Sequence, residues 1–304
     1  MQFQFNEENT LVSKSVATTE GPIVNRKRRS SEDRDPFDPL WLECVWLEVT
    51  NRCNLQCVHC YADSGPYEPL TYGLQHSDWL ALIDEISGVG CRKVQFIGGE
   101  PLLYPNLPAL IEKASANAFE MIEVYTNGTR LTDDLCTHFR DHNVSLAFSF
   151  YSKSDSIHDS ITKQKGSQER TLRGIDLALK QNIPVRVGVV QMSENANCAS
   201  EAVNYLRSLG IQDANIDDIR GYGRGRDQTI PDDAYSGLCG ACWRGLLAIN
   251  SAGDVSPCVF SRFKSIGHVS EGIRRLLQKK SLGDFRARVK ELKPSACLSC
   301  RPEG

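Results

Sequence analysis

The sequence predicts an α/β protein, a partial (β/α)6 TIM barrel followed by a small cysteine-rich C-terminal domain. Three observations carry that expectation. From Trp41 onward six short apolar runs alternate with helix-length amphipathic stretches, the order that builds a parallel sheet with helical crossovers. Unusual residues follow four of those runs, at what would be the carboxyl ends of strands, where barrel enzymes place their chemistry. The cysteines, 12 in 304 residues, fall largely into two groups, one behind the first run and one in the last third of the chain.

Residues 1–40 come first and are polar, with Arg26-Lys27-Arg28-Arg29 running into Ser30-Ser31-Glu32-Asp33-Arg34-Asp35. A stretch with so little apolar surface is expected to be a mobile arm with a solvated charge run. The barrel is expected over 41–235. Its strands are read at Val45–Val49, Lys93–Ile97, Ile122–Tyr125, Ser145–Phe150, Val185–Val190 and Asn215–Ile219. Between them the helical period predicts Asp78–Ile86 behind a Ser77 cap, Leu107–Ala116, Asp133–Asp141, Glu169–Lys180 and Ala199–Leu209. Six strands are fewer than the eight that close a TIM barrel, so an open barrel is the expected outcome. Residues 236–304 form the second domain.

Composition narrows the classes. A disulfide scaffold would be short and carry a signal peptide, but the N-terminus MQFQFNEENTLVSKSVATTEGP lacks the apolar core of one. No apolar run is long enough to span a membrane. A net charge of −3 points to no nucleic-acid or membrane partner. A reducing cytoplasm with metal-bound thiolates fits these cysteines best. Cys44, Cys91, Cys136 and Cys198 lie in or beside regular elements and read as packing residues.

The first cysteine group is Cys53-Asn54-Leu55-Gln56-Cys57-Val58-His59-Cys60-Tyr61, a CxxxCxxC loop behind the first strand. Three thiolates on a cubane iron–sulfur cluster leave one iron free for a ligand that is not protein. Gly98-Gly99-Glu100-Pro101 follows the second strand, Thr126-Asn127-Gly128 the third, and Ser149-Phe150-Tyr151 closes the fourth. Together, CNLQCVHCY, GGEPLL, YTNGT and the strand-end serine of SFYS resemble the radical S-adenosylmethionine (SAM) superfamily over about 41–225.

The resemblance implies that Cys53, Cys57 and Cys60 hold a 4Fe–4S cluster whose fourth iron is chelated by the methionine part of SAM. Reductive cleavage would then release a 5′-deoxyadenosyl radical that abstracts hydrogen from substrate, with an external flavodoxin- or ferredoxin-type donor supplying the electron. It further implies SAM contacts from Gly98 and Gly99, whose missing Cβ atoms let backbone come close, and from Glu100, a carboxyl for the ammonium group. Ser149, Asn127, the backbone of His59 and the ring of Tyr61 join them. Related enzymes often carry an arginine after the His158-Asp159 pair; here only Lys163 or Arg170 is left to meet the methionine carboxylate, and His158 reads as a capping or core histidine.

The second group is Cys239-x2-Cys242, Cys258 and Cys297-x2-Cys300. Taken alone, paired CxxC elements suit a zinc ribbon. Beside the first group they resemble the SPASM/twitch auxiliary-cluster domain, implying one or two further 4Fe–4S clusters on Cys239, Cys242, Cys258, Cys297 and Cys300; five cysteines exceed the four that one cluster takes, so Cys239 and Cys242 alternate as ligands or one of them is a thiol hydrogen donor. A full SPASM pattern would place its next cysteine just beyond Gly304, so either one auxiliary cluster is held or the sequence stops inside a two-cluster domain.

The resemblance favours maturation of a ribosomally made peptide by cross-linking, thioether formation or epimerisation, with the leader read by a separate recognition protein or bound directly. The alternatives are oxidation or rearrangement of a sugar or aminocyclitol, and a non-catalytic iron–sulfur regulator. Asp217 to Gly225 after the sixth strand and Gln191 to Glu194 after the fifth are further substrate candidates; Asp218 and Arg220 either face the cavity or pair with each other.

Overall fold

The computed structural model describes residues 38–71, 73–227, 234–235 and 237–291. Six strands lie parallel in chain order: β1 (Cys44–Glu48), β2 (Lys93–Ile97), β3 (Met121–Thr126), β4 (Val144–Phe150), β5 (Val185–Gln191) and β6 (Ala214–Asp218). The helices between them are α1 (His76–Gly88), α2 (Leu107–Ala116), α3 (Asp133–Asp141), α4 (Asp155–Thr162), α5 (Ser167–Lys180) and α6 (Ala199–Ser208). The α/β class and the open parallel barrel are therefore as the sequence indicates, each strand within about a residue of its expected bounds.

Side-chain alternation decides what each face of the sheet does. Val45, Leu47, Val94, Phe96, Ile122, Val124, Leu146, Phe148, Val187 and Val189 belong to one buried cluster with Trp79, Ile83, Leu110, Ile111, Phe139 and Leu206 of the helices. The intervening positions face the barrel interior and are more polar. There Arg186 on β5 grips Glu123 on β3 through Nε (2.8 Å) and Nη2 (2.7 Å), and Gln95 on β2 donates to the same carboxylate. A bidentate buried pair of this kind ties three strands across the interior.

Local corrections are informative. Helix α1 starts at His76, and its cap is Gln75 rather than Ser77: Asp78 reaches back to the Gln75 N–H at 2.8 Å in a capping box. Helix α5 starts at Ser167, two residues before the predicted Glu169, because the Asp159 carboxylate receives Gln168 N (3.0 Å) and Ser167 Oγ (2.8 Å).

Beyond the barrel, β7 (Leu246–Ile249) pairs in parallel with β1, and β8 (Asp254–Ser256) and β9 (Gly267–His268) continue antiparallel. The sheet thus runs β6-β5-β4-β3-β2-β1-β7-β8-β9. The C-terminal segment is not a separate bead: it extends the barrel sheet past β1. Two helices, α7 (Ile273–Leu277) and α8 (Lys280–Glu291), follow. Phe285 and Val289 of α8 pack in one buried cluster with Cys44, Trp46, Leu246, Cys242 and Cys258. Most of the arm expected over 1–40, namely residues 1–37, lies outside the described residues, as do Cys297 and Cys300.

Candidate active site

The three-cysteine loop is fixed on every side by backbone contacts. Its amides at Gln56 and Val58 donate to Thr162 O (3.1 Å) and Ile161 O (3.0 Å), the carbonyls that a helix C-terminus otherwise leaves unpaired. Helix α4, which the sequence reading did not single out, therefore closes its end with the loop. Next in space is the turn after β2. Cβ atoms on Gly98 and Gly99 would lie 2.3 Å from Thr50 O and 2.3 Å from Arg52 O. Both glycines are thus required for backbone to pack on backbone, with Gly99 N bonding Thr50 O at 2.7 Å and Glu100 N bonding Arg52 O at 2.9 Å.

Glu100 is fully buried and joins three segments. One carboxylate oxygen accepts from Leu102 N (3.0 Å) and Thr126 Oγ1 (2.6 Å), the other from Asn127 N (2.8 Å). Burial raises its pKa to about 7 despite those bonds. Asn127 then reaches Asn54 Oδ1 at 3.0 Å and points toward Cys53 Sγ at 3.8 Å. The GGEP and TNG turns are in this way tied to the cysteine loop.

The turn after β6 supplies a clamp. Arg224 donates from Nε to Cys57 O (2.7 Å), from Nη2 to Ser64 O (2.8 Å) and from its backbone N to Cys60 O (3.0 Å). Gly223 sits at φ +54°, where a Cβ would stand 2.2 Å from Cys60 O. The stretch read as a substrate loop is, at these two residues, a strap over the cysteines.

Burial is the main cause that raises two of these thiol pKa values: Cys57 to about 12, with Cys60 next after burial, and Cys53 well above the usual thiol range, with the Glu100 carboxylate next and then Cys57. Thiols so placed ionise readily only against a metal centre, which deprotonates its cysteine ligands outright. All three are free cysteines, and Leu55 N lies 3.4 Å from Cys53 Sγ as a donor to sulfur. The residues present fit a cluster held on one side by three thiolates.

In front of them opens a cleft with about 780 Å³ of empty space, its mouth included. Every barrel strand contributes to it: Trp46 from β1, Gln95 and Ile97 from β2, Tyr125 from β3, Ser149 from β4, Val190 from β5, and Asp217 and Asp218 from β6. His59 and Tyr61 of the cysteine loop, Arg220, and Val259 and Phe260 complete the wall. His59 stands edge-on to Tyr151 with ring centroids 5.0 Å apart, and burial lowers its pKa to about 4, so it is a neutral imidazole. Arg220 reaches Gly237 O at 3.3 Å and lies 5.8 Å from the Phe260 ring centroid. Lys163, by contrast, is exposed at the left-handed C-cap of α4 (φ 56°) and does not line the cleft. His158 is a core residue, 1% exposed, with Nδ1 3.1 Å from Ser167 Oγ.

The second thiol group borders the same cleft through Val259 and Phe260. Cys242 Sγ lies 2.9 Å from Cys258 Sγ, and Cys239 bonds the same sulfur. Its bonds to Cys239 and Cys258, then burial, hold the Cys242 thiol well above its usual range. For Cys258, burial is outweighed by the bonds from Cys242, Ser261 and the Phe260 amide, which lower it. Tyr61, next to Cys60, meets Phe260, two residues past Cys258, with centroids 5.2 Å apart. Arg262 of the same loop pairs with Glu48 at the end of β1. Neither contact had a signal in the sequence, since each joins segments about two hundred residues apart.

Comparison with known proteins agrees with this architecture. Residues 47–212 match the family model of the radical SAM superfamily, and 239–301 that of the SPASM iron–sulfur cluster-binding domain. The antilisterial bacteriocin subtilosin biosynthesis protein of Bacillus subtilis is 26% identical over 86% of this chain and 64% of its own length. The sporulation killing factor maturation protein of the same organism is 29% identical over 68% of this chain and 49% of its own. The chain thus spans between about half and two thirds of these relatives. Among solved structures, Streptococcus suis SuiB bound to precursor peptide SuiA superposes with a TM-score of 0.65 at 11% identity, over 83% of this chain and 67% of that one, a likeness of fold.

Proposed function

The chain belongs to the radical SAM superfamily, and on that footing we propose that it cleaves SAM at the Cys53–Cys57–Cys60 centre and modifies a ribosomally made peptide. The observation that carries this reading is the single cleft bordered by both thiol groups, with His59 and Tyr61 on one wall and Val259 and Phe260 on another. The two Bacillus relatives, a bacteriocin biosynthesis protein and a killing-factor maturation protein, support the peptide as substrate class.

When bound, a cluster with one open iron together with SAM supplies an electron to a sulfonium and so a carbon radical able to take hydrogen. The protein's own residues do the rest. Arg224, Gly98, Gly99 and the end of α4 fix the loop that presents the three sulfurs. Ser149 and the Asn127 turn border the same end of the barrel, where SAM would lie. Trp46, Ile97, Tyr125 and Phe260 give the cleft an apolar lining that keeps water from a reactive radical. Asp217 and Asp218 stand at the β6 edge, placed to hold the backbone or amine of an incoming peptide and to take up a proton released from it. Cys239, Cys242 and Cys258 would hold a further cluster beside the cleft, which would supply an electron acceptor there. A separate leader-recognition protein and a flavodoxin- or ferredoxin-type donor complete the proposal; no helix among the described residues is long and apolar enough to cross a membrane.

The test is anaerobic incubation of the reconstituted protein with SAM, reductant and the short peptides encoded beside its gene. Mass spectrometry in deuterated water is expected to show a peptide that has lost hydrogen or exchanged it for deuterium. Formation of 5′-deoxyadenosine with every such peptide unchanged, while an aminocyclitol is consumed, would overturn the peptide reading and keep the SAM chemistry.

A further inference from the structure

Outside the cleft, the barrel's helical layer holds a second set of metal-type donors. Glu112 on α2, His138 on α3 and His142 at the α3 C-cap each offer one ligand atom, and these atoms all lie within 4.8 Å of one another. None of the three lines the cleft. His138 and His142 are four residues apart, so they share one helix face, and their rings lie 4.4 Å apart at 38°.

The hydrogen bonds settle which ring nitrogens are available. His142 Nδ1 is 2.9 Å from His138 O, and His138 Nε2 is 3.3 Å from Pro108 O. A carbonyl only accepts, so each of these nitrogens carries the proton. The opposite nitrogen of each ring, Nε2 of His142 and Nδ1 of His138, therefore keeps a lone pair. A ring nitrogen donating to a backbone carbonyl is the usual outer support of a metal-bound histidine, fixing tautomer and orientation. The nearby cations are engaged elsewhere: Lys113 pairs with Asp84 at 2.7 Å, and Arg140 bonds Asp141 at 3.0 Å and Gln181 at 2.6 Å. The C-terminal end of α3 adds its partial negative charge.

We propose that Glu112, His138 and His142 form a binding site for a first-row divalent metal ion, of the zinc class, that clasps α2 to α3. Two imidazoles and one carboxylate are a donor set for zinc, cobalt or nickel rather than magnesium or calcium. Three protein ligands leave a position for water, and with Glu112 exposed the ion has a direct route in.

Cobalt(II) added to the cluster-loaded protein is the probe, because its spectrum reports the donors. Cobalt on thiolate gives an intense sulfur-to-metal charge-transfer band; cobalt on nitrogen and oxygen gives only weak d–d bands. The expected result is one equivalent bound without the thiolate band, lost in His138→Gln/His142→Gln and bound more weakly in Glu112→Gln. Zinc should displace it. His142→Gln alone, a surface change that keeps a polar side chain at the helix end, guards against misfolding of the double variant, and it too should lose the equivalent. Unchanged stoichiometry and affinity in the histidine variants, or cobalt bound only with the thiolate band, would overturn the site.

Discussion

Arg224 offers the sharpest test of how the cysteine loop is built. Its side chain makes two charge-assisted bonds to loop carbonyls, Cys57 O at 2.7 Å and Ser64 O at 2.8 Å, while its backbone bond to Cys60 O survives any substitution. Hydrogen bonds to a charged group are worth about 1.5–3 kcal/mol each. Arg224 is half-buried, so water recovers part of the loss, and the lower end of the range applies. Arg224→Ala should therefore destabilise by about 3 kcal/mol, which at roughly 2–4 °C per kcal/mol for a protein of this size lowers Tm by about 10 °C. Lysine reaches one carbonyl and not both, so Arg224→Lys should fall about midway. The assay pairs thermal unfolding with iron retention under a chelator challenge. Iron is expected to leave the alanine variant fastest from the three-cysteine centre, with Lys intermediate. Retention equal to wild type, together with an unchanged Tm, would refute the strap.

Other predictions follow from the same geometry. Gly99→Ala places a Cβ 2.3 Å from Arg52 O, so it should destabilise by about 1–3 kcal/mol and lower iron content at the first centre, read by denaturant unfolding and iron analysis. His158 titrates at about 4 in the fold against 6.5 outside it, because burial disfavours its charged form. The unfolded chain binds that proton first, so this stability is complete above about pH 6.5 and is lost as pH falls toward 4. Urea unfolding of wild type at pH 7 and 5.5 should differ by about 1 kcal/mol more than in His158→Asn; equal differences would remove His158 as the source. Cys242→Ala/Cys258→Ala should halve the iron of reconstituted protein, from about eight to about four atoms per chain. Zinc in place of the missing iron in wild type would return the zinc-ribbon reading.

What was legible in the sequence was local. CxxxCxxC, GGEP and TNG are contiguous, and a strand's carboxyl end places each of them on one rim once the strands are recognised. Helix α4, with the polar stretch DSIHDSIT, has too few apolar residues to announce itself, yet its last carbonyls anchor the cysteine loop. The two glycines after β2 were expected to make room for SAM; the structure shows them making room for the Thr50 and Arg52 carbonyls. Lys163 was a candidate by position alone, and its left-handed backbone at the end of α4 turns it to solvent. Arg224 was read only as part of a substrate loop, because the partners that make it a strap lie 160 and 167 residues away, and no periodicity encodes such a pairing. The parallel union of β7 with β1 is of the same kind.

SAM cleavage at Cys53, Cys57 and Cys60 is the proposal on which the rest depends. It is tested most directly by quantifying 5′-deoxyadenosine from the reconstituted, reduced protein in the absence of oxygen. Deoxyadenosine and methionine are expected in equal amounts from wild type, and neither from Cys57→Ala even with its auxiliary iron intact. A wild-type protein that carries its full iron and yields no deoxyadenosine would contradict it.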